Sequence, residues 1–233
     1  MTTPRIVGHR GAPAHAAENT LASFEQALAD GADLLECDVH LLADGHVAIM
    51  HDETIDRTAD SDSPLTSGAL ADLTREDLAR VRVGGGHRVP LLPELLEASP
   101  VGLFLEIKTP QAAAAVAELL RTSPHPSAAA TTVISFHAEA LQVIREELPD
   151  LPISYLVSRL DESAIAQARE LGADGVGPWV RTLTLWGAEQ VHEAGMSLNP
   201  WTVNTEQELA VARACGADTI TSDDPAWVRR SES

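Results

Sequence analysis

The chain has 233 residues, 44% of them hydrophobic, which is enough for one domain with a substantial core, and no low-complexity tract or linker divides it. Sixteen basic against 35 acidic residues give a formal net charge of -19, a field that repels nucleic acid and anionic membrane, so any phosphate site must carry its positive charge locally. Cys37 and Cys215 have no CxxC or zinc-like spacing and read as reduced thiols. With no signal peptide after Met1 and no apolar run of about 18 residues, a soluble cytoplasmic protein without a stable membrane anchor is expected.

In chain order, the apolar run Arg5–Val7 predicts a first strand that delivers His9-Arg10-Gly11. Leu21, Phe24 and Leu28 recur at helical spacing, with Asn19 as the expected N-cap and Gly31 just past the C-cap. Leu34–Val39 predicts a buried second strand. Asp44-Gly45 then marks a hairpin that returns through Val47–Met50 to His51-Asp52. A polar stretch follows to about Pro93, and the insertion over approximately 44–93 is expected to cap the mouth of the fold. Within it, Gly84-Gly85-Gly86 lacks the setting of a nucleotide fingerprint and reads as flexible loop, and Asp60-Ser61-Asp62 reads as solvated charge.

Further strands are predicted at Gly102–Ile107, Thr132–Phe136, Ile153–Val157, Gly175–Gly177, Met196–Trp201 and Thr219–Thr221. Helices are predicted near Gln111–Arg121, Ala138–Leu148, Glu162–Leu171, Leu183–Ala194 and Glu206–Ala214. Eight strands alternating with helices predict an α/β fold, a closed parallel (β/α)8 TIM barrel with the insertion after strand 2. The repeat Gly31-Ala32-Asp33, Gly172-Ala173-Asp174 and Gly216-Ala217-Asp218 falls where a helix ends and a strand begins. It reads as a loop signature of stacked units and not as a binding motif.

Residues two apart on a strand share a face, so Glu36 and Asp38 point one way and Cys37 the other. A solvated edge is the ordinary reading of such a pair. Inside an apolar strand, however, two unpaired carboxylates are expensive, and an oxygen site for a hard divalent cation, Mg²⁺ or Ca²⁺, explains them better. Glu106, after Val101–Leu105, supplies a third oxygen ligand. Lys108 is the sole lysine among 16 basic residues and lies two positions from Glu106 on the same face, placed to hold a phosphoryl oxygen as a point charge.

These motifs together resemble the glycerophosphodiester phosphodiesterase family. They are His9-Arg10-Gly11, Glu18-Asn19-Thr20, Glu36-Cys37-Asp38-Val39, His51-Asp52 and Leu105-Glu106-Ile107-Lys108, followed by Trp201–Asn204 and Gly216–Pro225. The resemblance covers almost the whole chain. It implies a TIM barrel with a divalent ion on Glu36, Asp38 and Glu106 and with His9 and His51 as the acid–base pair. It further implies Arg10 and Lys108 on the phosphate, and a small glycerophosphodiester cleaved to glycerol 3-phosphate and an alcohol. His9 is read as base and His51 as acid, with cyclic-phosphate formation and direct water attack both left open. Trp201 is either a core aromatic or a wall beside substrate, Asn19 caps or supports, and Glu18 orients a neighbour. Asp56-Arg57-Thr58 departs from the usual pattern by running into Ala59–Pro64 where a glycine-containing loop is common, which leaves alcohol specificity open.

Competing readings are a lysophospholipase D-type diesterase on lysolipids, another carboxylate-metal barrel enzyme, and a silent barrel that binds a phosphorylated ligand. His9-Arg10-Gly11 stands where an amidohydrolase would carry His-x-His, and both histidines and all three carboxylates are present. Of the other histidines, only His137, at the end of the predicted fourth strand, is placed to touch substrate. Asp223-Asp224-Pro225 reads as the N-cap and first turn of the last helix. Oligomeric state is not readable.

Overall fold

The structure, a computed structural model, describes residues 3–231. Among these described residues nine strands form: β1 (Arg5–Gly8), β2 (Leu34–Leu41), β3 (Val47–Ile49), β4 (Leu103–Ile107), β5 (Thr132–Ser135), β6 (Ile153–Val157), β7 (Gly175–Pro178), β8 (Ser197–Leu198) and β9 (Thr219–Ser222). Between them run α1 (Leu21–Ala29), α2 (Arg75–Leu78), α3 (Leu92–Ala98), α4 (Ala113–Thr122), α5 (Pro126–Ala129), α6 (Ala138–Glu147), α7 (Glu162–Glu170), α8 (Leu185–Glu193), α9 (Glu206–Ala214) and α10 (Pro225–Arg230). Eight strands pair in parallel in the order β8-β7-β6-β5-β4-β2-β1-β9, while β3 returns antiparallel to β2. This is the TIM barrel the alternation predicts, with the insertion after its second strand.

The Gly-Ala-Asp repeat acts as a strand staple. Each glycine adopts positive φ (87°, 61° and 68° at Gly31, Gly172 and Gly216), which ends the helix and swings the chain toward the sheet. Each aspartate then bonds one residue of the neighbouring strand twice. The Asp33, Asp174 and Asp218 amides donate to the carbonyls of Ile6, Ile153 and Leu198 at 2.8, 2.8 and 2.9 Å. Their carboxylates in turn accept from the amides of the same three residues at 2.8, 2.9 and 2.8 Å. At Asp218 this contact spans the seam between β8 and β9, where the Val203 amide also donates to the Thr221 carbonyl at 2.8 Å.

Helix starts are set by side-chain caps. Thr20, Asp161, Thr184, Thr205 and Asp224 each accept the amide three residues on. The cap of α1 is therefore Thr20 and not Asn19, because Asn19 is turned inward to another task described below.

Period-two alternation sorts the strands into two layers. Leu35, Cys37, Val39, Leu103, Leu105 and Ile107 face the helices in the main core, whereas Leu34, Phe104, Ile134 and Leu156 fill the barrel interior. Cys37 is fully buried in the helix-facing layer, and burial, followed by the nearby carboxylates, raises its thiol pKa. The insertion has an apolar cluster of its own around Ile55, Leu70, Leu78 and Val81. Leu92, Leu95 and Leu96 of α3 belong instead to the main core. The glycine turn is held rather than loose, since the amides of Gly85 and Gly86 donate to the Asp60 carboxylate at 3.1 and 2.8 Å. Asp60 is thus a structural acceptor, contrary to its reading as solvated charge. No helix among the described residues is long and apolar enough to cross a membrane.

Candidate active site

The same alternation places Glu36 and Asp38 on the inner face of β2, and the β2–β4 register sets Asp38 directly beside Glu106. All three carboxylates are buried, and their ligand oxygens lie within 4.8 Å of one another. Lys108 lies 2.8 Å from Glu106 and 3.4 Å from Asp38, measured from its ammonium. Arg10 approaches from the other side: its amide donates to Glu36 at 2.8 Å and its Nε lies 3.3 Å from Asp38, close enough for an ion pair but not aligned as a hydrogen bond.

Two residues hold a backbone that side chains rarely adopt, Arg10 at φ 51° and Asn19 at φ 56°. Both serve the cluster. Asn19 is buried, its amide donates to Asp38 at 2.9 Å, and its carbonyl accepts the Asp38 backbone N–H at 3.4 Å. The strain is spent where carboxylates must be aimed.

Two cations do not balance three buried acids. Burial, followed by repulsion from Asp38 and Glu106, drives the Glu36 pKa well above the carboxylate range. Burial and Asp38 raise Glu106 to about 7 despite Lys108. At Asp38 burial pushes upward, but Lys108 and Arg10 outweigh it and the pKa falls. An all-oxygen donor set, compact and underneutralised, fits a hard divalent cation.

This gives a pH signature. Glu36 and Glu106 have folded pKa values above their ordinary 4.5, so cation-free folded protein holds protons that the unfolded chain releases. The Glu106 contribution to stability therefore falls as pH rises from about 4.5 to about 7, and that of Glu36 falls as pH rises through its own raised pKa. His51 opposes it, its pKa being lowered chiefly by burial, so comparison with and without cation isolates the carboxylates. The melting-temperature gain on adding Mg²⁺ or Ca²⁺ is expected to be larger at pH 7 than at pH 5, where the ion must displace protons. An equal gain at both pH values contradicts the assignment.

The histidines are oriented by carboxylates. His9 Nδ1 lies 2.6 Å from Asp223 Oδ1, and Asp223 Oδ2 accepts the Asn204 amide at 2.6 Å. His51 Nδ1 lies 2.6 Å from Asp52 Oδ1. Arg57 donates to Asp52 at 2.5 and 3.2 Å and also to Glu18 at 2.6 and 3.2 Å, while Glu18 accepts from Arg10 at 3.3 Å. Both Asp52 and Asp223 have lowered pKa values: the Arg57 hydrogen bond dominates at Asp52, and at Asp223 desolvation is the largest single effect and opposes, but the bond and charge of His9, the Asn204 amide and Arg10 together outweigh it. Each Asp–His pair engages Nδ1 and leaves Nε2 as the ring nitrogen able to give or take a proton.

Neither Asp223 nor Arg57 stood out in the sequence as a site residue. The N-cap reading holds for Asp224, which caps α10, and fails for Asp223, which serves His9 across 214 positions. His9, Arg10, Glu36, His51, Glu106 and Lys108 line one pocket of about 180 Å³ with Phe104, Leu156, Phe136 and Trp201. Trp201 is a half-buried wall, edge-on to Phe136 at 5.4 Å with its indole N–H on the Gly177 carbonyl at 2.8 Å. Phe136 and not the exposed His137 lines this pocket. A larger concavity of about 660 Å³, between α8 and α9, brings together no comparable set of charged groups.

The family model described as the glycerophosphoryl diester phosphodiesterase family matches residues 9–227, nearly the whole chain. The chain belongs to this family. It is accordingly a phosphoric diester hydrolase. Among curated members, it is 29% identical over 233 residues to a glycerophosphodiester phosphodiesterase of Caldanaerobacter subterraneus, covering 94% of each chain. It is 28% identical over 239 residues to one of Bacillus altitudinis, covering 95% of each. A phosphodiesterase of Oleispira antarctica, solved with the product sn-glycerol-3-phosphate, superposes with a TM-score of 0.89 at 25% identity, covering 98% of this chain and 96% of that one.

Proposed function

We propose that the chain hydrolyses small glycerophosphodiesters to glycerol 3-phosphate and a free alcohol. A divalent cation, Mg²⁺ or Ca²⁺, is held by Glu36, Asp38 and Glu106, and His9 and His51 move the protons. The observation that carries this reading is the pairing of each histidine with its own carboxylate beside one shared acid cluster. The Oleispira antarctica neighbour was solved with sn-glycerol-3-phosphate as product, which supports the same product here.

When bound, the cation supplies Lewis-acid charge to the phosphoryl oxygens. His9, its Nδ1 held by Asp223, accepts at Nε2 the proton of the attacking oxygen, which belongs either to water or to the substrate's own glycerol hydroxyl, whose cyclic phosphate water then opens. His51, its Nδ1 held by Asp52, donates from Nε2 to the departing alcohol oxygen. Lys108 and Arg10 offset charge that grows on the phosphoryl oxygens, in a buried setting where such charge is felt strongly. Trp201 and Phe136 wall the organic part of the substrate, and Glu18 and Asn19 hold Arg57, Arg10 and Asp38 in place.

The insertion over approximately 44–93 acts as a cap on a single catalytic domain, a reading supported by the Arg57 bridge from the insertion to Glu18. The two free buried thiols favour a cytoplasmic setting in glycerol and lipid metabolism. Incubation with glycerophosphocholine followed by product analysis tests the bond cleaved. Glycerol 3-phosphate with choline is expected, and phosphocholine with glycerol contradicts the assignment.

A further inference from the structure

Beside the carboxylate pocket lies a second cavity of about 180 Å³, and His51 lines both. Its apolar wall comes from the insertion: Ile49 and Met50 at the end of β3, and Val83 and Val89 on either side of the glycine turn. That wall is firmly built. Val83 and His87 exchange amide–carbonyl bonds at 2.9 Å, and Asp60 ties down Gly85 and Gly86. Gly84 approaches the loop before α1 so closely that a Cβ there would stand 2.1 Å from the Ala17 Cβ.

The polar side chains of this cavity are already engaged. Glu18 is taken by Arg57 and Arg10, Asn19 by Asp38, and the Thr58 hydroxyl by the Met50 sulfur at 3.9 Å. His51 uses Nδ1 on Asp52, and among the described residues its Nε2 has no hydrogen-bond partner. The first pocket, by contrast, holds the cation-binding acids, Lys108, Arg10 and His9.

We propose that the second cavity receives the body of the leaving alcohol and selects alcohols with a methylated or otherwise apolar body, such as a quaternary ammonium alcohol, over polyols. This rests on the reading of His51 as proton donor. His51 is the residue the two cavities share, so an alcohol whose oxygen lies within hydrogen-bond reach of Nε2 is placed to enter the second cavity beside it. Ile49, Met50, Val83 and Val89 contact methyl and methylene groups well. They offer no partner to extra hydroxyls, and a hydroxyl buried unpaired is strongly disfavoured.

The test is kcat/KM for three diesters that share glycerol 3-phosphate as product and carry choline, inositol or methanol as leaving alcohol. The wild-type chain is expected to favour choline over inositol by at least about tenfold. Parity or reversal overturns the proposal. Val89→Phe fills the cavity and is expected to lower the choline diester at least about tenfold relative to the methyl diester, whose alcohol does not reach the wall. Equal losses on both overturn it. Val83→Thr adds a hydroxyl at nearly constant volume and is expected to narrow the choline-to-inositol ratio; an unchanged ratio counts against the subsite. No glycerol 3-phosphate from any of the three overturns the reaction reading and the subsite with it, a failure distinct from a misplaced ratio.

Discussion

Replacing His9 or His51 with alanine is expected to lower kcat on glycerophosphocholine by about 10²–10⁴, a loss of about 3–5 kcal/mol of transition-state stabilisation. Each imidazole is pinned through Nδ1 at 2.6 Å, which on the proposed mechanism fixes its Nε2 for proton transfer. KM is expected to change less than kcat, since binding rests on Arg10, Lys108 and the acid cluster. The double variant is expected to fall short of the product of the two single losses, because two groups serving one transfer act as a unit. Steady-state kinetics on the three variants checks this. A single-histidine variant that keeps more than about a tenth of wild-type kcat removes that histidine from proton transfer.

Asp38→Asn is expected to act at least as strongly, lowering kcat/KM by at least about 10³ while weakening cation binding measured by calorimetry. Asp38 is the one cluster carboxylate whose pKa is lowered, despite the desolvation that opposes it, through Lys108, Arg10, His51 and Asn19, and is therefore the acid most firmly ionised. The substitution keeps the shape but removes the charge that Lys108 and Arg10 share, leaving two partly buried cations short of a partner. The same variant is therefore expected to melt lower than wild type in chelated buffer as well. Unchanged cation affinity with full activity would take Asp38 out of the ligand set.

Much of this site was legible in the chain because it obeys strict periodicities. Glu36, Asp38, Glu106 and Lys108 sit two apart on strands, so their common face follows from alternation, and the eight apolar runs place them at one end of a barrel. Asp223 was not legible as the partner of His9. The contact depends on barrel closure bringing β9 back to β1, and a Pro-preceding Asp-Asp reads locally as a helix cap, a role that Asp224 alone fills. Arg57 was hidden because the part of the insertion after His51-Asp52 carries no helical or strand period that would place it. Its apolar residues, from Ile55 to Val89, cluster only in three dimensions. Asn19 and Thr20 compete for one cap by composition. Tertiary demand decides between them, since Asp38 draws the Asn19 amide inward and leaves the hydroxyl to the helix.

The two carboxylates that hold the histidines differ in their own partners. The charge of Asp52 is shared with the Arg57 fork, whereas Asp223 meets only the neutral Asn204 amide on its second oxygen.

On the proposed mechanism, three buried carboxylates hold the cation on which turnover depends. Release of glycerol 3-phosphate from glycerophosphocholine, followed before chelation, after stringent chelation and after restoring Mg²⁺ or Ca²⁺, tests it most directly. Loss of turnover on chelation with recovery on adding back the ion is the expected result, and undiminished turnover in chelated protein contradicts it.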